Sequence, residues 1–440
     1  MLRALLWIQI VYIVYELHFP LETGIFGLNL VNMLFLATLF GVWLHKKDTV
    51  HPRAMLRSGI VIFFVTLIAA FFLAQARAPA DFQDDITYLK TALFYPLLYF
   101  LYLHCRQDEK NTRWMIILVL VVAAVAGVQA IRQGLDYGIG TYVETHRASG
   151  PFGTTFAMAN RAGVYYAMFL PMFIAIALMF RKQGRWRVAA LAGIGILAFA
   201  ILVTYSRQSY FIALVAAVVL FARRHLLLAV VLALALLTLN DYLPDSVTQR
   251  VAETRDATVS GDKYDVSTES RWEIWGGAMH MAQQYPLGVG LNRFQTMIGN
   301  YVPEYAGYDA HDFYVLTLCE CGIFGLLALG WLLRRLFALA AFLRRSAPDD
   351  ETRALALGFT VAVLCMAMGN FYGSPFLEGS VMGDFWILCG LLERYANLKL
   401  ASAAAMQQTP APARPPILAT ARILPPRATI PGTSQAPPLD

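Results

Sequence analysis

The run "SGIVIFFVTLIAAFFLAQA" at 58–76 is nineteen residues long and carries no charge. A segment that crosses the hydrocarbon of a bilayer needs about 20 such residues. It must also satisfy its own backbone hydrogen bonds, which selects a helix. A second run, "HLLLAVVLALALLTLN" at 225–240, has the same character. Composition generalises the point: the 440 residues are 58% hydrophobic and only 15% charged. A soluble exterior takes about a quarter charged residues. The runs lack the apolar–polar alternation of a lipid-facing barrel. The fold class expected is therefore all-α, a polytopic helical bundle in a membrane.

Twelve spans fit, at roughly 4–17, 24–44, 55–76, 86–104, 113–132, 156–180, 187–205, 209–222, 225–241, 312–333, 354–370 and 381–398. The first and eighth are short enough to be tilted or partly re-entrant. The first segment has no small-residue cleavage site, so it is expected to be a retained helix rather than a signal peptide. With the N-terminus inside, the inner connections carry Lys46, Lys47, Arg53 and Arg57, then Arg106, Lys110 and Arg113. Arg181, Lys182, Arg185 and Arg187 follow, then Arg223 and Arg224, and finally the arginines between 334 and 353. Every inner loop is basic, as the positive-inside rule requires, and topological anchoring accounts for these residues. The chain divides into N-terminal spans (1–241), a long outer loop (242–311), C-terminal spans (312–400) and a tail (401–440). Both ends face the cytoplasm.

The tail holds nine of the twenty prolines without hydrophobic periodicity, a composition that builds no core and is expected to be disordered. The five cysteines, Cys105, Cys319, Cys321, Cys365 and Cys389, are scattered through apolar segments, which argues against a disulfide framework. No internal repeat is obvious, which weakens an inverted-repeat transporter reading.

Outward-facing cations serve no topological need, so they are the better functional candidates. Three stretches stand out. In "TYSRQSY" (204–210) Arg207 sits at the water boundary, where position alone equally admits a snorkelling interfacial arginine. In "TESRWEIWGGAMHMAQQYPLGVG" (268–290), Ser270 and Glu273 have capping-box spacing, placing Arg271 in a first helical turn. Free amides at a helix start together with an arginine suit a phosphate group, although such a start also occurs without a ligand. Trp272, Trp275 and Met279 recur at helical spacing, as on a helix lying on the membrane or against the bundle. In "YDAHDFYVLTLCECGIFG" (308–325), Tyr308, Asp309, His311 and Asp312 mark where the outer loop re-enters the membrane. A neutral histidine there can take a proton from a hydroxyl. Glu320 lies about two turns further on, either functional or a buried packing partner. Cys319 and Cys321 are two apart on a helix and point in different directions, so no metal site is expected.

Four motifs now stand in order: "HRASGPFGTTFAMANRAG" (146–163) with Arg147, Gly150, Phe152 and Asn160, the Ser206-Arg207 turn, Arg271-Trp272 leading to "PLGVG", and His311-Asp312 re-entering the bundle. Together they resemble the O-antigen ligase and Wzy-type polymerase superfamily of bacterial envelope glycosyltransferases, over roughly 140–335. That resemblance implies transfer of a glycan from undecaprenyl diphosphate, on the periplasmic face of the inner membrane. The acceptor is lipid A–core for a ligase and another lipid-linked chain for a polymerase. It implies His311 as the base that activates the acceptor hydroxyl and Arg207 and Arg271 as holders of the diphosphate. Arg147, Asn160, Asp312, Glu320 and Tyr308 are supporting or substrate-binding candidates. No metal, cofactor or nucleic acid is implied; the partners are the lipid-linked donor, the glycan acceptor and membrane lipids. The family more often carries His-Asn where this chain has His311-Asp312, which adds a negative charge beside the diphosphate. A lipid-linked glycan flippase is the reading from another class. It would place charges within the span interiors, whereas these candidates cluster on one side.

Overall fold

The computed structural model describes residues 1–19, 29–45, 50, 52–139, 143–153, 158–180, 184–222, 227, 230 and 266–408. Among them the secondary structure is helical, with no strand. Among the described residues the α-helices before the long loop are α1 (Leu2–Tyr15), α2 (Leu30–Leu44), α3 (Arg57–Arg77), α4 (Phe82–Leu103), α5 (Glu109–Tyr137), α6 (Ala159–Met179), α7 (Gly184–Val203) and α8 (Arg207–Ala222). Then come α9 (Val266–Gln284), the short α10 (Phe294–Ile298), α11 (Phe313–Arg345), α12 (Asp350–Gly369) and α13 (Gly379–Gln408). The span expected at 225–241 and the loop up to 265 lie outside the described residues, as does the tail from 409.

Seven of the described helices are long and apolar enough to cross a membrane, and α2 and α8 are shorter apolar helices. Their placement follows from which faces are buried. The apolar window of α6 is 78% buried against 33% for α7, so α6 runs through the middle and α7 at the periphery. α6 packs along α12, α7 and α8, and α3 packs along α11. Exposed Phe40, Trp43, Val65, Phe72 and Val188 leave an apolar exterior that suits lipid rather than water.

The compact unit Met1–Ala401 has two polar ends. At one, Arg335 donates to Met55 O (2.8 Å), Glu393 accepts from Met55 N (3.0 Å), Arg394 donates to Gln107 O (3.0 Å), and Lys399 meets Glu109 (2.9 Å). Of the described basic residues, Arg106 and Arg113 belong to this end with Arg335. The candidate residues belong to the other. The second unit, Ser402–Asp440, contributes to the described residues only the close of α13, whose helix continues to Gln408, past 401 where the tail was expected to begin.

Candidate active site

His311 and Asp312 stand at the start of α11. Asp312 is the N-cap: its carboxylate accepts from Tyr314 N (2.8 Å) and Val315 N (2.9 Å), satisfying two amides that have no intrahelical partner. Burial nevertheless pushes the Asp312 carboxyl up to about 6, against those two hydrogen bonds. His311 has φ 50°, a left-handed conformation that non-glycine residues seldom adopt and that is held where surrounding structure demands it. Its Nδ1 lies 3.9 Å from Asp309 Oδ2. Burial lowers the His311 pKa below its ordinary 6.5; Asp309 opposes the shift, and the positive charges of Arg271 and Arg161 add to it. The imidazole is thus neutral near pH 7, with basic side chains close enough to act on it.

The end of α12 gathers the candidates. Phe313 N donates to Asn370 O (2.9 Å) and the Tyr314 hydroxyl to Ala367 O (2.8 Å), which fixes the start of α11 against residues 367–370. Gln208, next to Arg207, donates to Gly369 O (2.7 Å). Arg207 opens α8 after a tight turn in which Tyr205 is left-handed (φ 49°) and Ser206 accepts from Ser209 N (3.4 Å). The Arg271 guanidinium lies over the Tyr372 ring, 5.4 Å from its centroid. Trp275, one turn on, donates to Ala310 O (2.8 Å) and packs on the same tyrosine. Three segments distant in sequence, those of Arg207, Arg271 and His311, therefore meet on residues 367–372.

One expectation is corrected. α9 extends back to Val266 at least, so Ser270 is an interior residue, not an N-cap, and Arg271 is not in a first turn. An arginine inside a helix has no free amides beside it, which removes the helix-start argument for an anion there. Ile274, Ala278 and Met281 form the buried face of α9, while Trp272 and Met279 are exposed.

The supporting candidates separate by what they touch. Arg147 is buried, donating to Thr204 O (3.0 Å) and to Asn160 Oδ1; these contacts brace the turn before Arg207. Tyr308 is exposed and stacks edge-on with Tyr305. Glu320 is buried and accepts from Arg293 N (3.1 Å) and Phe294 N (3.2 Å), capping α10.

That cap belongs to a break in α11. Gly322 has φ 68° and ψ −167°, interrupting the helix, and a Cβ there would collide with the backbone of Leu287. The amides of Val289 and Gly290 take up the freed carbonyls of Cys319 (2.8 Å) and Glu320 (3.1 Å). The loop after α9 thus docks into the interrupted helix. Arg293 then locks it to α4 through a buried ion pair with Asp85 and a bond to Ala78 O (2.7 Å).

Beside the histidine opens a cleft of about 590 Å³, between the start of α4, the loop before α11 and the segment before α13; Arg161 and Asp309 line it. Arg161 pairs with Glu378 at 2.6 Å. Asp309 is already part of the stretch singled out in the sequence, whereas Arg161 and Glu378 are not among the candidates. Arg161 carried a signal, being an outward cation beside Asn160, while Glu378 and residues 367–372 carried none. Among the described residues no group of three or more His, Cys, Asp or Glu side chains is placed to hold a metal ion.

A bundle with an apolar exterior, carrying arginines and a neutral histidine gathered at one end, defines a helical membrane protein with a candidate site at that end. Residues 192–330 match the Wzy_C family model, described as O-antigen ligase, so this stretch is similar to the O-antigen ligase and Wzy-type superfamily. The matched stretch contains Arg207, Arg271, His311, Asp312 and Glu320, and stops short of Arg147 and Asn160. No curated protein matches the chain.

Proposed function

We propose that the protein is a ligase of the bacterial inner membrane, with twelve spans and both termini in the cytoplasm. It transfers a glycan en bloc from undecaprenyl diphosphate to a hydroxyl of lipid A–core at the periplasmic face. The reaction is a single displacement with inversion. The imidazole of His311 takes the proton of the acceptor hydroxyl while that oxygen attacks the anomeric carbon. The bond from that carbon to the diphosphate breaks, and the leaving undecaprenyl diphosphate departs with the electron pair. Arg271 and Arg207 stabilise its growing charge, a role that preorganised guanidiniums perform without calling on a metal ion or cofactor. Arg161, within electrostatic reach of His311, adds to the same field.

The observation that carries this reading is the meeting on residues 367–372 of the segments that bear Arg207, Arg271 and His311, with the histidine held neutral by burial and by Arg271 and Arg161. Arg207→Lys replaces a planar fork by a point charge, so donor turnover should fall about tenfold or more. Full turnover in that variant counts against diphosphate contact. The acceptor is tested by the glycan profile of a deletion strain. A ligase leaves lipid A–core bare while long lipid-linked polymer accumulates. Accumulation of single undecaprenyl-linked repeats instead identifies a polymerase.

A further inference from the structure

The cleft beside His311 differs in chemistry from the arginine side of the site. Glu16, Asp84, Asp309, Glu320 and Glu378 line it, with Arg161 as the cation among them. Several of these carboxylates are committed: Glu16 accepts from the Tyr95 hydroxyl (2.9 Å), Glu378 pairs with Arg161, and Glu320 caps α10. Asp84 is exposed into this space at the start of α4, one turn before Thr87 and Tyr88, which also line it. Across from them is Ser374, 94% buried by its 6% exposure, whose Oγ has no hydrogen-bond partner among the described residues. A buried hydroxyl without a partner costs stability unless something arrives to bond it.

This lining suits one class of ligand. Carboxylates and hydroxyls receive and return the hydrogen bonds of a polyhydroxylated molecule, and tyrosine rings give its C–H faces a surface to rest on. Asp84 and Asp309, which are not neutralised by an arginine in this lining, would repel a diphosphate. The volume falls within the range of about 300–1,000 Å³ typical of small-molecule sites. We propose that this cleft binds the acceptor as an uncharged saccharide, with Ser374 and Asp84 as hydrogen-bonding partners, and presents its reactive hydroxyl to His311 at the rim. Donor and acceptor are then sorted by charge, the anionic diphosphate to the arginines and the neutral sugar to the acidic cleft. The assignment of the sugar as acceptor rests on the transferase reading; its binding does not.

The test measures binding without donor, on the full chain in nanodiscs. The probe is a neutral hexose oligosaccharide of outer-core type, free of carboxylate and phosphate groups, titrated into wild type, Ser374→Ala and Asp84→Asn. Wild type should bind, and each variant should lose about 3- to 10-fold in affinity, the loss of one hydrogen bond. Ser374→Ala removes a hydroxyl with no protein partner, so its melting temperature should not fall, and undecaprenyl diphosphate should bind both variants as it binds wild type. Absence of oligosaccharide binding by wild type, wild-type affinity in both variants, or a matching loss of undecaprenyl diphosphate binding overturns the proposal. Saccharide binding that follows the expected pattern in a protein that transfers no glycan would refute the transferase reading and leave the cleft assignment standing.

Discussion

His311 is the residue whose surroundings decide its chemistry. Its pKa lies below 6.5 because burial and two neighbouring arginines disfavour the imidazolium, with Asp309 opposing them. A base of this kind works when deprotonated, so the transfer rate should fall as pH drops through that lowered value. Arg271→Gln removes a positive neighbour and makes protonation easier, so its acidic limb should move toward neutral pH. Asp309→Asn removes the opposing charge and should move the limb the other way. Rate–pH profiles of the three proteins check both signs. Asp312 gives a second handle. Its carboxyl is raised from 3.8 to about 6, so the folded state binds that proton more tightly than the unfolded chain. The resulting cost to stability is present above about pH 6 and fades as pH falls toward 3.8. Asparagine keeps the capping oxygen without the charge. Asp312→Asn should therefore melt higher than wild type at pH 7.5, and the gap should close near pH 4. Both candidates were legible as residues, since a histidine and an aspartate before an apolar run are conspicuous. The partners that set their behaviour were not: Arg161 and Asp309 act through space, and Asn370 is joined to α11 by a backbone bond that carries no side-chain signature.

At the scale of elements, hydropathy placed the described helices well, because a span must be long, apolar and internally bonded whatever its neighbours. It could not show the break in α11. "CECGIFG" continues an apolar helix in every local respect, and Gly322 is an ordinary glycine until the loop at 286–290 claims the space beside it. The Ser-x-x-Glu pattern at 270 misled for the same reason: the spacing is local, and it occurs inside helices as well as at their starts. Gly322→Ala tests the break. Its Cβ would meet Leu287 backbone at a left-handed φ of 68°, so the loop must shift or the helix straighten. Strain of this kind costs about 1–3 kcal/mol, and a loss of that size should appear as a lower melting temperature. Transfer should fall with it, because Arg293 and the loop to His311 hang from the same joint. An unchanged melting temperature would mean that the break is not needed.

At the scale of the molecule, charge segregation was legible from the loops alone. Among the described residues Arg106, Arg113 and Arg335 lie at one end, and Arg271 and His311 at the other. What distance in sequence concealed is that residues 367–372 collect the segments that bear Arg207, Arg271 and His311, joined only by the fold. The central claim is that this gathering is a catalytic centre with His311 as its base. It is tested most directly in proteoliposomes, with purified wild type and His311→Ala given saturating undecaprenyl-diphosphate-linked glycan and lipid A–core. Transfer should fall about 10²- to 10⁴-fold in the variant, with donor binding and membrane insertion retained. Transfer at the wild-type rate by His311→Ala would contradict the claim.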